Sequence, residues 1–129
     1  MSEVMGVVVA HGNLACCLVE ATESISGVEG ALQPIGNAGC SPELLVARIR
    51  DAIGLRPALL FVDLASGSCA HAARLAGREG AGVPVVSGVN LPMLLDFVFH
   101  RDMEVSELSL RLVEKAHAGT VAYLPDLSS

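Results

Sequence analysis

The chain has 129 residues, 52% of them hydrophobic and 17% charged, with a formal net charge of −6 and no Trp. That length and apolar content suit one globular domain over residues 1–129 with a real core, and they exclude a disordered chain. With 3% aromatics and no Lys/Arg run, it lacks the stacking surfaces and basic stripe of a nucleic-acid binder, and its acidity argues against an anionic membrane surface.

The apolar runs fall far short of the ~20 residues of a membrane span, and "MSEVMG" carries no basic segment leading into an apolar core, so no secretory signal is expected. Cys16, Cys17, Cys40 and Cys69 form no C-x-x-C pair, and adjacent cysteines bridge only with strain. These features point to a reduced, cytoplasmic protein.

In chain order, an apolar β-branched run predicts a strand over Val4–Ala10, which stops at His11-Gly12-Asn13. A helix is expected over Leu14–Ser26, where Leu14, Leu18, Ala21, Thr22 and Ile25 recur at helical spacing. A strand at Ala31–Ile35 precedes a helix at Pro42–Ile53, whose start Ser41-Pro42-Glu43 combines a capping hydroxyl, an early proline and an early acid. A third strand, Ala58–Asp63, leads through Ser66-Gly67-Ser68 to a helix at Ala70–Gly80. A fourth strand follows at Val83–Ser87, then a helix at Pro92–Arg101 opened by Asn90-Leu91-Pro92. The last helix, Ser106–Ala118, takes Ser106 as its cap, and a weaker strand is expected at Thr120–Leu124.

The first, third and fourth strands are apolar without alternation, which suits strands buried on both faces of a parallel sheet. Right-handed crossovers then give an α/β, three-layer doubly wound sandwich around a mainly parallel five-stranded sheet. The weak last strand is expected as an antiparallel edge, or as an element exchanged in a dimer.

In such sheets ligands bind beyond the carboxyl ends of the strands, where strand order reverses. His11 after strand 1 and Asp63 after strand 3 converge there if those strands are neighbours. A carboxylate that holds one ring N–H leaves the other nitrogen free as a base, a metal ligand or a nucleophile towards phosphorus. Ser66, Gly67 and Ser68 supply N–H groups and hydroxyls at a helix start, a favourable seat for phosphate oxygens. That pairing favours phosphoryl chemistry.

The stretches "GVVVAHGNLA", "FVDLASGSCAHAARLA" and "VVSGVNLPMLLDF" resemble the IIA component of the mannose-type sugar phosphotransferase system (PTS), in order and over about three quarters of the chain. The resemblance implies a doubly wound fold in which His11 is transiently phosphorylated and Asp63 is its carboxylate partner. It implies HPr, the small histidine phosphocarrier, as donor and a IIB component as acceptor. It also implies a homodimer, with contact to the membrane only through a transporter complex. The family's D-L-F-G-G-[ST]-P loop here reads Asp63-Leu64-Ala65-Ser66-Gly67-Ser68-Cys69, so Ala65, Ser66 and Cys69 depart from it while Gly67 and Ser68 keep the anion cradle.

Other polar residues have plainer readings. Asn13 suits a turn and Asp63 by itself a helix cap. His71 reads as a helix-surface residue, and His100 and His117 suit helix ends. A non-transferring module that senses a phosphorylated partner is the alternative function. A thiol or zinc site built on Cys69 with His11, His71 and Asp63 is a further one, but metal-ligand spacing and catalytic cysteine motifs are absent, so no metal or cofactor is expected.

Overall fold

The computed structural model describes residues 3–79 and 82–126. Along them run β1 (Met5–Ala10), α1 (Leu14–Ser26), β2 (Leu32–Gly36), α2 (Pro42–Ile53), β3 (Ala58–Val62), α3 (Ser68–Gly77), β4 (Val85–Ser87), α4 (Leu91–Val98) and α5 (Val105–Ala118). The sheet order is β2-β1-β3-β4 and every pairing is parallel. The chain moves outward one way from β1 to β2 and the other way from β3 to β4. The reversal of strand order therefore falls between β1 and β3.

The apolar runs behave as strands buried on two sides must. Val8 and Ala10 of β1 point into a cluster with α1, α4 and α5, which includes Val19, Phe97, Leu108 and Leu112. Val7 and Val9 point the opposite way, into a cluster with α2 and α3 that includes Leu45, Ile49 and Ala73. The period-2 geometry of a strand thus splits one short run between two cores. Phe61 of β3 meets Phe97 of α4 edge to face, with ring centroids 5.2 Å apart. On the other side α3 is built mainly of small residues, and Ala70, Ala72, Ala73 and Ala76 are buried against the sheet.

Local signals set most boundaries. Ser41 caps α2 by accepting from the Leu44 N–H at 3.1 Å, and Asn90 caps α4 by accepting from the Met93 N–H at 3.0 Å. At α5 the cap is Glu104 instead of Ser106: its carboxylate accepts from the N–H groups of Ser106 at 2.9 Å and Glu107 at 3.1 Å. A charged acceptor two residues earlier satisfies two free donors where a hydroxyl would satisfy one.

Three further expectations are corrected. The sheet has four strands: among the described residues, 120–124 join none, and Val121, Tyr123 and Leu124 are exposed. A strand needs a ladder, and β4 is three residues long and already paired to β3 on one side. The buried stripe of α1 is Ala15, Val19 and Thr22, rotated from the expected one, so Leu14 and Ile25 face solvent. Finally, α4 ends at Val98 and α3 starts at Ser68, while the expected end of α3 at Gly80 lies outside the described residues.

Candidate functional site

The pairing of β1 with β3 sets Val9 opposite Val62, so the two strands leave the sheet side by side, at His11 and Asp63. The His11 ring Nδ1 lies 2.7 Å from Asp63 Oδ2, and the His11 backbone N–H donates to the same oxygen at 3.0 Å. The other carboxylate oxygen accepts from the Leu64 N–H at 3.0 Å. With a carboxylate as partner, Nδ1 is the nitrogen that carries the proton, and Nε2 keeps its lone pair. The His11 side chain is 45% exposed and that of Asp63 only 11%, so the base faces solvent while its orienting group is covered. Burial pushes the Asp63 carboxyl up, but the backbone and ring hydrogen bonds from His11 and its charge outweigh this and hold it below its ordinary value. Asp63 does not cap α3, whose N-cap is Gly67.

The Asp63–Ser68 loop turns under the imidazole. Gly67 adopts φ +100°, and a Cβ there would stand 4.0 Å from His11 Cε1. The first helical bond of α3 runs from His71 N–H to Gly67 O at 3.0 Å. The N–H groups of Ser68, Cys69 and Ala70 precede it and have no carbonyl one turn back. Ser66, Gly67 and Ser68 are all exposed. Gly67 thus brings the start of α3, with its free donors and the positive end of the helix dipole, close to the ring.

Asn37, which the sequence did not single out, ties the third strand end into the site. Its Oδ1 accepts from the Gly12 N–H at 3.1 Å and its Nδ2 donates to Ser68 Oγ at 3.4 Å. It bridges the histidine turn and the α3 loop. Close approach of the β2 end makes this possible: a Cβ on Gly36 would come within 2.5 Å of Gly12 O. The run "GNAG" directly after β2 was the available signal, because an Asn between glycines at a strand's carboxyl end lies on the binding edge of such a sheet.

Cys69, in the first turn of α3, is fully buried. Burial and the neighbouring charge of Asp63 raise its thiol above the ordinary value, with Ser68 opposing. That is the reverse of what an activated thiol nucleophile needs. Its sulfur, the Asp63 carboxylate and a His11 nitrogen nevertheless lie within 4.8 Å of one another. His71 is not part of this group and lines a groove of about 560 Å³ between α2 and α3 with Asn37, Ser41, Leu45, Arg50 and Ser68. Asn13 sits at the start of α1 and makes no side-chain cap bond. His117 lies in the last turn of α5, and the His100 ring bonds the Asp96 carbonyl at 2.7 Å.

A four-stranded parallel sheet with helices on both faces and a histidine–carboxylate pair at its switch point defines the doubly wound α/β class, with that pair at the edge where such folds bind ligands. Residues 6–116 match the EIIA-man family, described as the PTS system fructose IIA component, and the chain belongs to that family. It is therefore a component of the phosphotransferase system, which serves sugar transport. Among solved structures, EIIA from Streptococcus agalactiae is 26% identical, with TM-score 0.85 over 92% of this chain and 96% of that one. The mannose/sorbose specific IIA subunit from Enterococcus faecalis is 24% identical, with TM-score 0.83 over 98% and 100%. The IIA protein associated with the fucose utilization operon of Streptococcus pneumoniae is 20% identical, with TM-score 0.77 over 95% and 96%, and shares the fold. Comparison with curated protein sequences gives no match. Among the described residues no helix is long and apolar enough to cross a membrane.

Proposed function

We propose that the protein, acting as one cytoplasmic domain over residues 1–129, is a phosphocarrier: His11 accepts a phosphoryl group from HPr and passes it to a IIB component. The 2.7 Å contact between His11 Nδ1 and Asp63 Oδ2 carries this reading, because it leaves Nε2 as the free nucleophile. The Nε2 lone pair forms a bond to phosphorus as the bond to the donor's nitrogen breaks. The imidazole gains positive character, which the Asp63 carboxylate offsets through the Nδ1 proton. The N–H groups of the Ser66-Gly67-Ser68 loop and of the α3 start hold the phosphoryl oxygens. The reverse of these movements delivers the group to the next protein, and no cofactor is needed. The exposed Val121, Tyr123 and Leu124 support a homodimer in which residues 120–124 pair across subunits.

Mass spectrometry after incubation with phosphoenolpyruvate, the upstream enzyme and HPr tests the assignment. The wild-type chain should gain one phosphoryl group that is lost in acid and kept in base, and His11→Ala should gain none. A His11→Ala chain that takes up the same mass would refute it. A chain that binds phosphorylated HPr but never gains the mass is the non-transferring module instead.

A further inference from the structure

The proposed transfer uses His11 and Asp63 and leaves Cys69 idle, although the three side chains are close neighbours. In the first turn of α3 this chain places a sulfur in the wall of the site. An imidazole, a carboxylate and a thiol within 4.8 Å form a mixed nitrogen, oxygen and sulfur donor set. Calcium and magnesium prefer oxygen ligands alone, whereas zinc takes all three donor types.

We propose that His11, Asp63 and Cys69 bind a zinc ion, and that the ion and the phosphoryl group exclude one another. Zinc bonds of about 2.0–2.3 Å in a tetrahedron set their ligand atoms roughly 3.3–3.7 Å apart. His11 Nδ1 and Asp63 Oδ2 are already closer than this, at 2.7 Å, with a proton where the ion would sit. The widest separation in the group, up to 4.8 Å, exceeds this spacing, so binding requires the side chains to rotate inward. The exposed side of His11 leaves the fourth position to water, the arrangement of an open zinc site.

The proton balance explains the exclusion. Before binding, Nδ1 and the Cys69 sulfur each carry a proton and Nε2 carries none. Zinc takes Nδ1, the carboxylate and the thiolate, so two protons are displaced. One leaves to solvent and the other moves to Nε2, because a neutral imidazole keeps one proton. Nε2 then has no lone pair for phosphorus. The ion also draws the Asp63 charge to itself and away from the ring. Binding rests on the geometry alone, whereas exclusion rests on the phosphohistidine reading above.

The full-length, metal-free protein should be titrated with Co²⁺ as a spectroscopic substitute for zinc, and then with Zn²⁺ to displace it. We expect one ion per chain and a thiolate-to-cobalt charge-transfer absorption. Cys69→Ala, Cys69→Ser and His11→Ala should each weaken binding beyond the roughly 10–100-fold that changes outside the ligand shell cost. Joint replacement of Cys16, Cys17 and Cys40 by Ser should leave it intact. Absence of the charge-transfer band, or a band that survives Cys69→Ala, overturns the site. Should the Cys69 variants not fold, a band unaltered by His11→Ala overturns it equally. In the phosphorylation assay, zinc should block uptake by the wild-type chain and spare Cys69→Ala. Equal uptake by the zinc-loaded wild type overturns the exclusion. Failure of the zinc-free wild type to take up phosphoryl groups would sink the phosphocarrier reading instead, and leave the metal site standing.

Discussion

Replacing Asp63 with Asn keeps the outline of the side chain and removes its charge. Two donors, the His11 ring and the His11 backbone, converge on Oδ2, and a third, the Leu64 N–H, points at Oδ1. An amide has one oxygen for three donors on two sides. With its oxygen towards His11, its NH₂ meets the Leu64 N–H donor to donor. Turned round, it meets the ring and favours the tautomer that blocks Nε2. The first orientation preserves two bonds and is the one expected. Its ring bond is then neutral: about 0.5–1.5 kcal/mol against about 1.5–3 for a charged acceptor. The difference between the middles of these ranges, about 1.2 kcal/mol as the ring becomes positive, slows phosphoryl acceptance about eightfold. Rapid-quench measurement of uptake from phosphorylated HPr reads this directly, with circular dichroism as the check on folding. A rate within twofold of wild type would mean that the charge does not act on the ring. Because the wild-type carboxyl is held below its ordinary value, its titration should not limit the wild-type rate until pH falls below ~4.

Three more outcomes follow from the structure. Gly67→Ala places a Cβ in a backbone region open almost only to glycine (φ +100°, ψ −174°), so stability should fall by about 1–3 kcal/mol in urea titration, and unchanged stability would show that the loop adapts. The α4–α5 clasp, in which Asp96 accepts from Arg111 Nε at 2.7 Å and Nη2 at 3.0 Å, should make stability acid-sensitive. The Arg111 hydrogen bond lowers the Asp96 carboxyl against the opposing effect of burial, so its contribution is present above the unfolded value near ~3.9 and lost as pH falls through the folded one. The stability gap between wild type and Arg111→Met should accordingly be full at neutral pH and close in strong acid; a gap independent of pH would contradict the assignment. Ending the chain at Gly119 should convert a dimer to a monomer in light scattering, and a full-length chain already monomeric would remove the dimer.

What the sequence revealed was local. Proline, serine and asparagine at helix starts, and β-branched runs without alternation, act within a few residues, and they located the helices and the buried strands. The meeting of His11 and Asp63 was also readable, because it needs one assumption, that strands 1 and 3 adjoin. Asn37 was not readable on the same terms: its role depends on how closely β2 packs on the Gly12 turn, a contact 25 residues apart. Thr120–Leu124 misled only as a fifth strand of the chain's own sheet, because β-branched composition describes a strand's side chains and not its ladder partner. Ser106 misled because a carboxylate two residues earlier competes for the same donors. The inward aim of Cys69 depended on the helix starting at Ser68, two residues before the expected position.

The stiffness of the strand that carries His11 bears on the proposed transfer. Val7, Val8, Val9 and Ala10 are entirely buried and shared between both cores, so this strand cannot shift without loosening each layer. Its amides should be among the last to exchange with deuterium, opening only when the whole molecule does. A group added to a post this stiff can do little to reshape the protein that bears it. Under the proposed transfer, what a partner would sense at His11 is a change of charge on a fixed surface. The two forms of the protein would superimpose while differing in electrostatic potential, and they would be told apart by attraction and repulsion rather than by fit.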